Sequence, residues 1–340
     1  MKTNHNFLEK ILINLFMNFE SFKEFLFDVE KFFFLKKNSN QDLKCLFISG
    51  LPRSGTTSAL NCFYKNSNFA SLTYDDLPFL ICPNLALKWK KFFKKKIIQS
   101  FERAHKDNIL INTSSPEAFE EFFWKKETKK NYIKEFFLLK NNLTNSNIIE
   151  FKKYVELILT RYNKKIYLSK NNNNILRMSD LLNGIKNSMF LIFFRDPLHQ
   201  SASLLNQHNI FSKIHKENKF ALKYMNYLGH YEFGENTKRF DIGIYKYNDP
   251  FDINYWLEVW INYYYYVINN FQKERVALIC YEDLAENSNE YLKSKINEKE
   301  FIENINFSEF KNMNKFVNAK VNDKIKEEAY IVYSKLRELN

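Results

Sequence analysis

Short apolar runs in this chain alternate with longer stretches in which apolar residues recur at every third or fourth position. Apolar runs that end at turn-forming residues are typical of buried strands, and the longer periodicity is typical of amphipathic helices. The runs predict strands at Cys45–Ile48, Ile109–Ile111, Ile166–Leu168, Met189–Phe194 and Val276–Cys280. The periodic stretches predict helices at about Thr56–Lys65, Leu85–Arg103, Pro116–Lys126, Ile148–Tyr162, Pro197–Asn206 and Tyr255–Phe271. This alternation predicts an α/β fold with three layers, in which helices flank a mostly parallel sheet.

Two segments depart from this alternation of strands and helices. Residues 1–42 are predicted to form an amphipathic helical extension, and residues 43–340 a single domain. Between Asn6 and Leu35 the apolar residues recur at helical spacing, with charged residues among them. The pattern favours a helix that packs on the domain, and a helix on a membrane surface or a partner is the alternative. Residues 210–250 have weak periodicity, which predicts a surface excursion that could cover an acceptor.

The amino-acid composition gives the chain a net positive charge. The 340 residues include 51 Lys and Arg against 39 Asp and Glu, a formal net charge of +12, and 45% are apolar. The apolar fraction excludes general disorder, and the charge favours anions such as nucleotides, nucleic acid, acidic glycans or lipid headgroups. Codon usage in an AT-rich genome also produces this mixture of Lys, Asn, Ile, Phe and Tyr, so charge alone does not identify the ligand.

The cysteines and the longest apolar stretches bear on the compartment. Cys45, Cys62, Cys82 and Cys280 lie far apart in sequence and form no Cys-x-x-Cys pair. That spacing gives no support to a zinc or redox motif. Cys45 and Cys280 stand in apolar, strand-like runs, which predicts buried free thiols rather than disulfides, as in a reducing cytoplasm. No uncharged apolar stretch reaches about 18 residues, so no transmembrane helix is expected. We expect a cytoplasmic protein, with peripheral membrane contact as an open alternative.

The most specific segment follows the first predicted strand and reads Ser-Gly-Leu-Pro-Arg-Ser-Gly-Thr-Thr at residues 49–57. A small-residue loop between a strand and a helix presents backbone N–H groups and the positive end of the helix, which bind phosphate. Gly50 and Gly55 have the spacing of the nucleoside triphosphate loop, Gly-x-x-x-x-Gly-Lys-Ser/Thr. Thr56 stands where that loop has lysine, and Arg53 supplies a cation earlier. The core is thus P-loop-like, but a standard ATPase or GTPase is disfavoured.

A second strand–loop–helix segment begins at Met189. Arg195 directly follows the strand, at the carboxyl edge where α/β sheets bind ligands. Asp196 is suited to cap the next helix and Pro197 to its first turn. Ser203 follows about two helical turns inside and could face the same pocket. An Arg–Ser pair in this position can hold a second phosphate, although an arginine after a strand is as often a structural ion pair.

These two segments together resemble the family of sulfotransferases that use 3′-phosphoadenylyl sulfate. The family's Pro-Lys/Arg-Ser-Gly-Thr-Thr loop corresponds to Pro52–Thr57, and its Arg-Asp-Pro followed by Ser corresponds to Arg195–Ser203. Weaker matches are Leu168–Asn171, Cys280–Leu284, and Ser115–Trp124, which resembles bacterial, glycan-type members. The resemblance covers about residues 44–285. It implies transfer of a sulfuryl group to a hydroxyl or amine, with a carbohydrate as the expected acceptor.

The resemblance also implies roles for individual residues. The 5′-phosphosulfate would be held by Arg53, Ser54, Gly55, Thr56 and Thr57, and the 3′-phosphate by Arg195 and Ser203. Arg53 would also stabilise charge on the bridging oxygen, since arginine cannot donate a proton near neutral pH. Lys170, at a strand end, could touch the transferring group.

The sequence defines the catalytic base less clearly than the nucleotide-binding residues. The acceptor hydroxyl must lose a proton, so a His or carboxylate is expected nearby. Small-molecule members of the family place a His where this chain has Asn172. The candidates that remain are Glu117 and His105, with Glu120, Glu121 and Asp107 beside them. Glu117 also fits a structural role in the first turn of a helix.

Two other functions stay open at this point. One is a kinase with an altered phosphate loop, which would prefer ATP–Mg²⁺. The other is a non-catalytic polyanion binder, whose affinity would fall steeply with salt. The sulfotransferase hypothesis expects 3′-phosphoadenylyl sulfate as co-substrate, no metal ion, and no nucleic acid partner.

Overall fold

The computed structural model describes residues 19–35, 42–90, 101–102, 110–303, 305, 310 and 320–340. Its strands are β1 Lys44–Ser49, β2 Phe69–Ala70, β3 Phe101–Glu102, β4 Leu110–Ile111, β5 Phe137–Leu138, β6 Ile166–Lys170, β7 Asn187–Phe194, β8 Arg239–Phe240 and β9 Val276–Cys280. Its helices are α1 Glu20–Phe34, α2 Thr56–Tyr64, α3 Pro83–Lys90, α4 Glu121–Glu127, α5 Asn145–Tyr162, α6 Met178–Gly184, α7 Pro197–Glu217, α8 Lys219–Leu228, α9 Ile253–Asn269, α10 Tyr281–Glu286, α11 Ser288–Lys295, α12 Lys299–Ile302 and α13 Asp323–Leu339.

The centre is a five-stranded sheet in the order β2-β6-β1-β7-β9. Every neighbouring pair of these strands is parallel. Alternate strand residues enter two separate apolar clusters: Phe47 and Phe190 face one side, and Ile48 and Leu191 face the other. Helices α5 and α9 cover the first side and α2 covers the second. The predicted three-layer α/β fold with a parallel sheet flanked by helices is confirmed.

Three predicted elements differ from those in the structure. The run at Ile109–Ile111 does not join the central sheet: β4 pairs antiparallel with β3. The helix predicted to reach Arg103 is therefore wrong at β3, since residues 101–102 are extended. The helix predicted from Pro116 begins only at Glu121, because Pro116 forms a bridge with Thr73 instead. A short apolar run does not specify its partner strand, and a local pattern cannot anticipate that bridge.

The prediction of a surface excursion over residues 210–250 is wrong for residues 210–240 and is confirmed only for residues 241–250, which form neither helix nor strand and are mostly exposed. Helix α7 continues to Glu217 and α8 follows it directly. Tyr227, Phe233 and Phe240 are buried members of the main apolar cluster. Their periodicity is weak because these aromatic side chains are buried from several directions, rather than along one face of a regular element.

Helix α1 packs on the domain, which is the alternative that the sequence pattern favoured. Leu26 and Phe27 are buried in the main cluster. The Glu30 carboxylate accepts hydrogen bonds from the backbone N–H groups of Asn84 (2.7 Å) and Leu85 (2.9 Å), at the start of α3. A carboxylate there satisfies N–H groups that a helix leaves unpaired and complements its dipole. Residues 1–18 lie outside the described residues.

Candidate functional site

The first loop joins β1 to α2 in a backbone conformation that its sequence explains. Gly50 has φ +141°, and a Cβ there would lie 2.4 Å from the carbonyl oxygen of Phe193. Gly55, at the helix N-cap, has φ +97°. Only glycine adopts such angles without strain, so both are fixed by the turn. Arg53 also has a positive φ, +71°. Non-glycine residues hold this conformation where the surroundings impose it, which is common at ligand clamps.

The second loop leaves the neighbouring strand β7. Asp196 caps α7: its Oδ1 accepts a hydrogen bond from the backbone N–H of His199 at 2.9 Å, and Pro197 occupies the first turn. The predicted cap is confirmed. Arg195 is buried, with 6% of its surface exposed, and its guanidinium stacks 4.7 Å from the ring centre of Tyr281. The loop thus holds a nearly desolvated cation at the carboxyl end of β7.

Direct contacts join the two loops. Arg195 Nη1 donates to the carbonyl oxygen of Arg53 at 3.2 Å. Arg53 Nε donates to Ser203 Oγ at 3.1 Å. Gln200 Nε2, one turn earlier on α7, donates to the carbonyls of Leu51 (3.2 Å) and Pro52 (3.0 Å). Arg53, Arg195 and Ser203, which are far apart in sequence, therefore lie together in one site. The order β6-β1-β7 causes this, because the carboxyl ends of neighbouring parallel strands share one sheet edge.

Other first-loop residues line the start of α2. Ser54 and Thr56 are buried, and Ser54 Oγ donates to the carbonyl oxygen of Leu51 at 2.7 Å. This bond closes the loop tightly, so the backbone of residues 53–57 leads directly into the helix N-terminus. Backbone N–H groups at such a terminus form an anion site. The loop thus combines backbone donors with the Arg53 side chain.

Hydrogen bonds with acidic residues and tyrosines hold the second loop in place. Glu282 Oε1 accepts a hydrogen bond from the backbone N–H of Asp196 at 3.1 Å. Tyr330 on α13 donates to Asp196 Oδ2 at 3.0 Å. Tyr333 on the same helix donates to Glu282 Oε2 at 3.3 Å. Helix α13, which the family resemblance does not cover, thus fixes the loop that carries Arg195.

The electrostatics of the site favour an anion. Burial, together with the like charge of Arg53, lowers the pKa of Arg195, although Tyr281, Glu282 and Asp196 act against this. Two guanidinium groups in one partly buried site repel each other. A bound anion relieves that repulsion and restores the solvation that burial removed.

A second group of polar residues lies beside the loops. Lys170 ends β6 and is buried. Asn172 Nδ2 donates to Glu232 Oε1 at 3.4 Å, and His230 Nδ1 lies 3.6 Å from Glu232 Oε2. Burial alone would raise the pKa of Glu232, but His230 and Lys170 outweigh it and lower that pKa to about 2. A carboxylate therefore lies against Asn172, beside the buried end of β6.

Glu232 also lines a cleft that contacts the first loop. The first-loop residues Leu51 and Pro52 also line this cleft, together with Tyr255 and Trp256. Sequence reasoning missed Glu232 and His230. One signal could have found them: two titratable residues stand among aromatic residues between Gly229 and Gly234, in a segment without other charges.

The carboxylates that the sequence suggested as the catalytic base lie in a different environment from Glu232. Glu117 accepts hydrogen bonds from Tyr74 OH at 3.1 Å and from the backbone N–H of Ala118 at 2.9 Å. Glu120 accepts three bonds, from Trp124, Tyr167 and Asn174. Both carboxylates are thus hydrogen-bonded to side chains packed within the fold. His105 and Asp107 lie outside the described residues.

Glu121 forms a buried ion pair that supports the β6 end. Arg177 Nη1 lies 2.8 Å from Glu121 Oε2, and both side chains are at most 2% exposed. Asn171, next to Lys170, donates to the same oxygen at 2.7 Å. Burial alone would raise the pKa of Glu121, but Arg177 and the hydrogen bonds outweigh it and lower that pKa. The pair therefore fixes the turn that follows Lys170.

Replacing Arg177 with methionine is expected to destabilise the protein by about 3–5 kcal/mol, because it leaves the Glu121 carboxylate buried without its partner. Urea unfolding at pH 7 measures this. The double variant R177M/E121Q is expected to recover much of the loss. Since the pKa of Glu121 is lowered in the folded state, the stabilisation is present above the ordinary carboxyl pKa and is lost as pH falls through the folded value. Equal stability of R177M and the wild type would contradict this account.

Other features of the described residues bear on the remaining expectations. Cys45 and Cys280 are buried and free, as predicted, and so are Cys62 and Cys82. Among the described residues, no three His, Cys, Asp or Glu side chains cluster as metal ligands. The same part of the chain contains no helix whose length and apolar character would suit a membrane span.

Comparison with solved structures gives matches to sulfotransferases. The sulfotransferase STF1 from Mycobacterium tuberculosis H37Rv matches with a TM-score of 0.50 at 8% sequence identity, over 99% of this chain and 88% of that one. The sulfotransferase STF9 from Mycobacterium avium gives a TM-score of 0.41 at 10% identity, over 87% of this chain and 69% of that one. No protein-family model and no curated protein matches the sequence significantly. On the likeness to the first of these structures, the chain has the sulfotransferase fold.

Proposed function

We propose that the protein is a sulfotransferase that moves a sulfuryl group from 3′-phosphoadenylyl sulfate to a hydroxyl or amine of an acceptor. The observation that carries this proposal is the convergence of Arg53 and Arg195, from two strand ends, in one site. A nucleotide with phosphate groups at both its 3′ and 5′ positions matches two cations on separate loops. A nucleoside triphosphate carries its phosphates in one chain and matches this arrangement less well.

The two loops would divide the nucleotide between them. The 5′-phosphosulfate would lie on the residues of the first loop, Arg53, Ser54, Gly55, Thr56 and Thr57. The 3′-phosphate would lie on Arg195 and Ser203. Since the Arg53 Nε–H is already bonded to Ser203 Oγ, the phosphate groups would enter an arrangement that is formed beforehand. Donors fixed before the reaction stabilise developing charge without reorganisation.

The acceptor would bind beside Pro52 and Glu232, where the cleft of about 20 Å³ would have to widen to admit it. In the reaction, the acceptor oxygen forms a bond to sulfur while the bond from sulfur to the phosphate oxygen breaks. The leaving group is adenosine 3′,5′-bisphosphate, whose new charge Arg53 and Lys170 would stabilise. The acceptor proton would pass to the Glu232 carboxylate. Lys170 would then face two anions, so its pull on Glu232 would weaken and the pKa of Glu232 would rise towards the range of an effective base.

The character of the cleft supports a carbohydrate acceptor. Its walls combine aromatic side chains, including Tyr255 and Trp256, with the polar groups of Asn173, Glu232 and Arg239. Such a mixture suits a molecule that has apolar ring faces and many hydroxyl groups. Glu117 and His105 stay as predicted alternatives for the base, but the contacts of Glu232 with Asn172 and His230 favour Glu232.

A thermal unfolding measurement tests the proposal against its rivals. Adenosine 3′,5′-bisphosphate at a hundred times its Kd is expected to stabilise the protein by about 2.7 kcal/mol, which raises Tm by about 4 °C. ATP–Mg²⁺ is expected to give a much smaller shift. The variant Arg195→Ala is expected to lose the response to the bisphosphate. An equal or larger shift with ATP–Mg²⁺ would indicate a kinase, and an unchanged response in Arg195→Ala would reject the proposed site.

A further inference from the structure

A second basic cavity lies apart from the two phosphate loops. It has a volume of about 240 Å³ and lies among α1, α4 and α8. Cavities of roughly 150 Å³ hold a benzene molecule, so this one has room for a ring and an attached oxyanion group. Five lysines line it: Lys23, Lys125, Lys126, Lys130 and Lys223. The cavity therefore has the size and the charge of a site for a small organic anion.

The carboxylates around this cavity do not balance its lysines. Glu20 is the lining carboxylate, and it is shared by Lys23 (2.9 Å) and Lys130 (2.7 Å). Lys126 pairs with Glu127 at 3.3 Å. Among the residues that the structure describes, no carboxylate lies within ion-pair distance of Lys125 or Lys223. Two of the five ammonium groups thus lack a matched carboxylate there.

Lys125 is the most unusual of these cations. It is 8% exposed, and its Nζ donates to the backbone carbonyl of Tyr227 at 2.9 Å and also contacts that of Asn226. Burial lowers its pKa to about 7, and Lys130 and Lys23 act in the same direction. Glu121 and Glu20 act in the opposite direction, but Glu121 is already paired with Arg177. A buried ammonium crowded by like charges is stabilised by an anion that enters the cavity.

The rest of the lining gives the chemical class of that anion. Phe122, Tyr227 and Tyr231 present aromatic surface among the lysines. The Lys125 and Lys238 ammonium groups lie 5.8 Å and 5.4 Å from the ring centre of Tyr231. We propose that this lysine cavity, formed by α1, α4 and α8, binds an organic anion with a phosphate, sulfate or carboxylate group on an apolar or cyclic body. The proposal stands independently of the proposed sulfuryl transfer.

Titration calorimetry with 1,3-benzenedisulfonate tests it, because this probe has a ring, carries two charges that do not titrate and cannot transfer a sulfuryl group. The full chain is expected to bind it saturably at low ionic strength. Lys125→Met is expected to weaken binding at least tenfold, and Lys223→Gln, on the exposed rim, several-fold. Affinity is expected to fall as pH rises from 6 to 8.5, with proton uptake on binding near pH 7, because the pKa of Lys125 is about 7 when the cavity holds no anion.

Two controls separate this site from the phosphate loops and from general charge effects. Lys134→Met removes an exposed lysine that does not line the cavity, and it is expected to leave affinity unchanged. Arg195→Ala is expected to leave this binding event intact, even if the nucleotide site is lost or was never there. The proposal is rejected if no saturable binding occurs, or if Lys223→Gln binds as well as the wild type. It is equally rejected if Lys134→Met weakens binding as much as Lys223→Gln, since the attraction would then be unspecific.

Discussion

Replacing Arg53 with methionine is expected to lower kcat/KM for sulfuryl transfer about 10²–10³-fold, the usual effect of removing one preorganised donor from a transition state. Arg53 is bonded to the second loop twice: its side chain donates to Ser203, and its carbonyl oxygen accepts from Arg195. Methionine keeps the Cβ and most of the side-chain length, and it removes both the charge and the hydrogen bond to Ser203. Steady-state kinetics with 3′-phosphoadenylyl sulfate and any accepted hydroxyl substrate measures the change.

The variant Arg53→Lys separates charge from geometry. Lysine restores the positive charge but not the planar group that donates sideways to Ser203 Oγ. We expect it to recover part of the lost activity, with kcat recovering more than the affinity for the nucleotide. If Arg53→Met transfers sulfuryl groups as fast as the wild type, the guanidinium does not stabilise the transition state and its assigned role is wrong.

Replacing Glu232 with glutamine is expected to reduce kcat about 10²–10⁴-fold, the usual contribution of general base catalysis. Glutamine keeps the hydrogen bond from Asn172 but cannot accept the acceptor proton. The Kd of adenosine 3′,5′-bisphosphate is expected to stay within about twofold of the wild-type value, because Glu232 lies on the acceptor side. That separation of kcat from nucleotide affinity distinguishes a catalytic role from a structural one.

The pH dependence gives a second readout for Glu232. Since its pKa is lowered to about 2, the Glu232 carboxylate of the nucleotide-free protein is expected to stay ionised between pH 5 and 8. Any acid limb of kcat must then arise in the ternary complex, and it is expected to vanish in Glu232→Gln. Glu235→Gln, an exposed neighbour, is the matched control and should behave as the wild type. Equal kcat in Glu232→Gln and Glu235→Gln would exclude Glu232 as the base.

The loops were predictable because their chemistry is local in sequence. Strand, small residues, arginine and helix start stand within a few positions of one another at Gly50–Thr57 and at Arg195–Ser203. The parallel alternation of strands and helices then implies that both loops lie at one sheet edge. The contact from Arg195 to the Arg53 carbonyl could not be derived, since it depends on the order in which β1 and β7 pair.

The acceptor side was not predictable for the opposite reason. Lys170, Asn172 and Glu232 come from two segments about sixty positions apart, and they meet only because the segment after α8 is buried against the end of β6. Weak periodicity suggested an exposed excursion there, so its charged residues attracted no attention. The lysine cavity likewise needs three helices to meet, and only the tertiary structure brings Lys23, Lys125 and Lys223 together.

A crystal structure of the complex with adenosine 3′,5′-bisphosphate tests most directly whether two strand ends hold one nucleotide. The 5′-phosphate is expected on the backbone N–H groups of residues 53–57 and the Arg53 guanidinium. The 3′-phosphate of the same molecule is expected on Arg195 and Ser203. A nucleotide that occupies one loop only, or that leaves Arg195 without a phosphate contact, would contradict the account.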